Sequence, residues 1–154
     1  MAAYDGKREI MERTAPAGPV YQAGTLSGNA LAMAAGIATL TALTPALHSR
    51  IENRTATLVG GLQKIAGELG VPFVAAHAGS MWGFFFSDQP VVNYSDAKAS
   101  DVALFRLFFH AALDRGVYLA PSAFESCFMS AAHGDDEISI ALASLGEAME
   151  QIIE

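Results

Sequence analysis

Between Ser27 and Gly70 the chain has little choice but to form two consecutive helices, and this constrains everything around them. The stretch Gly28–Leu43 is small and apolar nearly all round, with Ser27 placed to cap it. A helix of that kind expects burial on most of its faces. Thr44 then caps a second helix that has Pro45 at its first position, where a missing N–H costs nothing. This helix runs to about Leu69, with Gly70 as its stop and Pro72 beyond. Leu47, Ile51, Leu58, Leu62, Ile65 and Leu69 form its apolar stripe, and Arg50, Glu52, Asn53 and Arg54 its wetter side.

The remaining elements follow from shorter signals. Lys7–Thr14 reads as a short helix ahead of a Pro/Gly loop that ends at Pro19. Residues 73–77 and 80–87 read as strands joined by a tight turn at Ala78-Gly79, followed by a polar loop from Asp88 to Ala99. Ser100-Asp101 caps a helix over Val102–Arg115 with Gly116 as its stop. VYLA at 117–120 and CFMS at 127–130 read as short strands around the loop PSAFE. A last helix starts near Asp135 and runs to the end, its acidic first turn matching the helix dipole. The order α-α-α-β-β-α-β-β-α predicts an α+β fold, a small and mostly antiparallel sheet covered by helices.

Composition narrows the function classes. The 154 residues suit one domain, with no repeat and no linker to split it. Charged residues make up only 16%, against about a quarter in ordinary domains, which predicts an oligomeric or interdomain contact. A net charge of −7 offers no basic stripe for nucleic acid. No apolar run approaches the roughly 20 residues of a membrane span, and the leading MAAYDGKREIMER has no signal-peptide core, so the cytoplasm is expected. Cys127 is the sole cysteine, read as a buried small apolar residue, and the four histidines share no ligand spacing, so no metal is expected.

Two stretches carry candidate chemistry. A helix starting at Gly28 would aim unpaired N–H groups toward Gly24-Thr25, where a phosphate would also meet the hydroxyls of Thr25 and Ser27. On spacing alone the plainer reading stays open: Ser27 merely caps, and Thr25 bonds a local carbonyl. Glu125, between two apolar strands, either faces a ligand amine or points into water. Tyr118 and Phe124 read as core, and Trp82, Phe84, Phe85 and Phe86 as core and interface.

GPVYQAGTLSGNALAMAAG, GSMWGFFF and FFHAALDRGVYLAPSAFESCFMSAAH resemble, in order and spacing, blocks of the glutamate-1-semialdehyde 2,1-aminomutases. Those are pyridoxal-phosphate enzymes of the class III aminotransferase group, and the resemblance covers essentially the whole chain. It implies the C-terminal domain of an aspartate-aminotransferase-like (fold type I) enzyme. In this reading 1–154 is one domain, with 1–27 leading to the phosphate-contact loop, 28–69 helical and 70–154 an α/β part. The same reading expects the large cofactor-binding domain to be absent from these 154 residues.

The resemblance also assigns roles. The threonine matching Thr25, with the Gly24 backbone, reaches across a homodimer to the cofactor phosphate of the neighbouring subunit. The tyrosine matching Tyr21 lies near the same active site, and the glutamate matching Glu125 on its substrate side. This chain departs from the family at Ala30, usually proline, and at Ser126-Cys127, where a small pair such as Ala-Gly is commoner. The family's Schiff-base lysine sits about a dozen residues before the segment that Met1–Tyr4 resembles, and Lys7, Lys64 and Lys98 do not stand in its context. The chain is therefore expected not to catalyse alone. Two alternatives remain: another class III aminotransferase with a different amine or amino-acid substrate, or a non-catalytic dimerising module.

Overall fold

A computed structural model describes residues 4–153. Met1–Ala3, most of the stretch likened to the segment after the lysine, and Glu154, the expected end of the last helix, lie outside the described residues. The chain divides into two compact units, Met1–Thr44 and Pro45–Glu154.

The first unit holds α1 (Arg8–Met11) and α2 (Ala30–Ala42). Between them Ala15 donates to the Val20 carbonyl at 2.8 Å and Val20 to that of Arg13 at 2.9 Å, closing the Pro/Gly loop on itself. α2 starts later than its sequence predicts. Gly28 has φ of +74°, a left-handed conformation that no right-handed helix continues through. The cap is therefore Asn29, whose Oδ1 accepts the Ala32 N–H at 3.0 Å, and not Ser27. Within this chain α2 is largely uncovered. Only Gly36 is buried, while Leu31 is 82% exposed and Ile37 and Leu40 stand open as well.

The second unit contains α3 (Pro45–Leu69), β1 (Val74–Ala78), β2 (Met81–Phe85), α4 (Tyr94–Ala99), α5 (Val102–Asp114), β3 (Cys127–Phe128) and α6 (Asp135–Gln151). The sheet is antiparallel in the order β1-β2-β3. Val74 pairs with Phe85 and Ala78 with Met81 across the first ladder, and Trp82 with Cys127 across the second. Alternation along β2 sends Trp82 and Phe84 inward, and Phe86 follows them just past the strand. There they meet Leu58 and Leu62 of α3, Phe105 and Phe108 of α5, and Leu145 and Met149 of α6. The result is helices layered on one small sheet, the α+β fold expected.

Both expected glycine stops occur. Gly70 and Gly116 have φ of +68° and +81°. At the end of α5, Gly116 donates to Leu113 at 3.0 Å and Val117 to Ala112 at 2.9 Å, the paired bonds of a Schellman close. The same pattern ends α3, from Gly70 to Gly67 and from Val71 to Ala66. That closure explains why 117–120 is no strand: Val117 spends its N–H on α5, and the segment makes no ladder among the described residues. The segment expected as loop between Asp88 and Ala99 instead folds part of its length into α4, and the strand expected at 127–130 is only two residues long.

α3 and α6 interlock through glycines. A Cβ added at Gly61 would lie 2.6 Å from Leu142 Cδ2, so Leu142 occupies the space a side chain would need. One turn on, Gly146 of α6 faces Ile65 of α3, where an added Cβ would make ordinary contact at 3.5 Å.

Candidate functional site

The two candidate stretches fall in different units, and each is built locally. In the first unit, Ser27 N–H donates to the Gly24 carbonyl at 3.0 Å and Asn29 N–H to that of Leu26 at 3.1 Å, folding residues 24–29 into consecutive turns. The N–H groups of Thr25, Leu26 and Gly28 and the Thr25 hydroxyl have no protein partner among the described residues. No ionisable side chain except that of Tyr21 occurs from Val20 to Thr44. Three free amides and a hydroxyl on one exposed turn, with no carboxylate nearby in sequence, fit a phosphate. Gly24 keeps that turn open, since a Cβ there would fall 2.6 Å from Ser27 Oγ and force the serine to rotate. Tyr21 is 82% exposed.

The second stretch is the loop from Ala120 to Ser126. Ser122 organises it: its Oγ accepts the Phe124 N–H at 3.2 Å and its carbonyl the Glu125 N–H at 3.2 Å. Ala123 is buried and roots the loop in the core. Glu125 is exposed, and its carboxylate has no hydrogen-bond or ion-pair partner among the described residues. It is thus an uncommitted negative charge. Tyr118 and Phe124, expected in the core, are 75% and 49% exposed. Tyr118 lies on the segment cut off from the sheet by the α5 closure, and Phe124 rests on Tyr94, ring centroids 6.3 Å apart.

Below the loop opens a cavity of about 510 Å³, lined among others by Trp82, Leu119, Cys127, His133 and Ile138. Cys127 is half-buried there and not sealed in the core as expected. Burial pushes its thiol up; a hydrogen bond with the Ala120 backbone draws it back, and the Glu125 charge adds to the rise. At the cavity rim His133 Nδ1 accepts the Ser130 N–H at 2.9 Å, which by hydrogen-bond pattern puts the neutral ring's proton on Nε2.

Tyr94, which Phe124 meets, carries no site signal of its own in the sequence. Only its helix is signalled, by the spacing Asn93-x-x-Asp96, the signature of a capping box, sitting inside a stretch read as loop.

The family model for class III aminotransferases matches residues 1–149. The chain belongs to the class III aminotransferases. Within that family it is 64% identical, over 97% of its length, to a glutamate-1-semialdehyde 2,1-aminomutase of Gemmatimonas aurantiaca, covering 34% of that protein. It is 53% identical, over 98% of its length, to the aminomutase of Roseiflexus castenholzii, covering 35% of it. Among solved structures, a transaminase with PLP (pyridoxal phosphate) bound superposes with a TM-score of 0.79 at 23% identity, over 96% of this chain and 34% of that one. This last likeness establishes the shared fold. The class III chain described here thus spans about a third of the length of the relatives it matches. No single helix among its described residues is long and apolar enough to cross a membrane.

Proposed function

We propose that this chain is the C-terminal part of a pyridoxal-phosphate aminomutase that converts glutamate-1-semialdehyde to 5-aminolevulinate, a step toward tetrapyrroles, in the cytoplasm. The observation that carries the reading is the 64% identity to an aminomutase across nearly the whole chain. The reaction exchanges an amino and an oxo group between adjacent carbons, so substrate and product are isomers and no second substrate is consumed. Bound pyridoxal phosphate supplies the electron sink for that exchange.

The chain's own residues do the holding and sorting. The free N–H groups of Thr25 and Leu26 and the Thr25 hydroxyl bind phosphate oxygens, approached closely because Gly24 has no side chain. Glu125 faces the substrate: its charge attracts an ammonium and repels a misplaced carboxylate, which sets the orientation in which the amino group travels. Tyr21 is assigned a substrate-side role. The partner subunit in a homodimer receives the Thr25 turn, and the exposed apolar surface of α2 supports such an assembly. The lysine that holds the cofactor is supplied outside this segment, so the chain alone gives no turnover.

The test uses an enzyme of the relatives' full length that carries this segment. It should form 5-aminolevulinate from the semialdehyde with no oxo acid added. Turnover only when an oxo-acid acceptor is supplied would instead make it an aminotransferase with another substrate. In the same enzyme Thr25→Val should weaken pyridoxal-phosphate retention by about tenfold to a hundredfold, the scale of one hydrogen bond to a charged group. Cofactor dissociation followed by absorbance decides this, and an unchanged constant removes Thr25 from the phosphate site.

A further inference from the structure

The loop that carries Glu125 is bound mainly to itself. Both Ser122 hydrogen bonds are internal to it, and Ala123 is its one buried residue near the acid. Beyond Ala123, the ring contact that joins this tip to another element among the described residues is Phe124 on Tyr94, with the rings 6.3 Å apart and inclined at 59°. Glu125 follows Phe124 directly, so a rotation of the backbone that frees the phenyl ring also swings the carboxylate.

Tyr94 itself stands on a fixed base. Asn93 Oδ1 accepts the N–H groups of Ser95 and Asp96 at 2.8 and 3.1 Å, and Asp96 Oδ2 accepts those of Val92 and Asn93 at 3.0 and 3.2 Å. The far end of α4 is anchored by buried Ala97 and Ser100, and Asp101 N–H donates to the Phe86 carbonyl at 2.9 Å. The Lys98 ammonium lies 5.8 Å from the Tyr94 ring centroid, which holds the ring by a second contact. A six-residue helix on the surface, capped this thoroughly and presenting one aromatic side chain to the loop, is a support for that loop.

We propose that Tyr94 is a positioning residue for Glu125, acting through the Phe124 ring; this rests on the substrate-side reading of Glu125. The ring contact limits how far the loop tip swings, and the phenol hydroxyl has no part in it.

Two measurements test this. By hydrogen exchange on this chain, Tyr94→Ala should speed exchange of the Phe124 and Glu125 amides about threefold to tenfold, the scale of one aromatic pair, while Tyr94→Phe should exchange like the parent. In the full-length enzyme Tyr94→Ala should lower kcat/KM for the semialdehyde by a similar factor, Tyr94→Phe should restore it, and Tyr94→Ala should cost nothing further in a Glu125→Gln background. Unchanged exchange in Tyr94→Ala overturns the proposal alone. Unchanged kinetics in Tyr94→Ala, beside an impaired Glu125→Gln, does the same. Unchanged kinetics in Glu125→Gln overturns the role of the acid and, with it, any functional meaning of its support.

Discussion

Phe108→Ala is expected to destabilise the Pro45–Glu154 unit by about 3–5 kcal/mol, the usual range for deleting a buried phenyl ring. The ring is 1% exposed and sits edge-on to Phe86 at 5.3 Å and to Phe84 at 5.6 Å. Both partners come from the β2 segment, so Phe108 is where α5 is fastened to the sheet. Truncation removes the ring's transfer energy, leaves a void, and breaks two edge-to-face contacts at once. Against a typical domain stability of about 5–15 kcal/mol, the loss is a large fraction of the whole. Urea unfolding followed by Trp82 fluorescence measures it. A loss under about 1 kcal/mol would mean that the aromatic cluster is not the centre of this core.

Glu125→Gln in the full-length enzyme is expected to reduce kcat/KM for the semialdehyde by about tenfold to a hundredfold, the worth of one charge-assisted hydrogen bond. The change keeps shape and removes only charge, and the fold should not notice, since the carboxylate has no protein partner to lose. Cys127 provides an internal check on placement. Burial does most to raise the thiol pKa and the Glu125 charge adds a smaller rise, so neutralising Glu125 should lower that pKa slightly while burial keeps it raised. A titration of the single thiol in this 154-residue chain reads this directly. Steady-state constants within twofold of the parent would remove Glu125 from the substrate side.

The elements legible in the sequence are those whose signals are local. Gly70 and Gly116 end helices because a left-handed residue is needed there, and Asp101 caps α5 by accepting the Leu104 N–H at 2.8 Å. Where two local signals compete, the chain alone does not say which prevails. Ser27 and Asn29 are both good caps, and the left-handed Gly28 between them selects Asn29. VYLA has strand composition, yet Val117 is already committed to closing α5.

Burial of single aromatics was harder still. Tyr118 and Phe124 look like core residues until long-range packing decides otherwise, and Phe124 finds its neighbour 30 positions away at Tyr94. The site was the least legible part. Spacing alone leaves Thr25 and Glu125 ambiguous, and their roles rest on resemblance to the aminomutases. The free amides of the 24–28 turn and the partnerless Glu125 carboxylate are features that only the folded chain displays.

The notch at Gly61 makes α3 and α6 a single strut. Sliding one helix past the other by a turn, about 5.4 Å, would carry Leu142 off the glycine and against Thr57 or Ile65, which have side chains where Gly61 has none. The pair therefore has one register and no neighbouring stop. Displacing either helix along its axis works against the Leu142–Gly61 fit. Motion within this unit is left to the loops hung from it, and the loop bearing Glu125 is one of them.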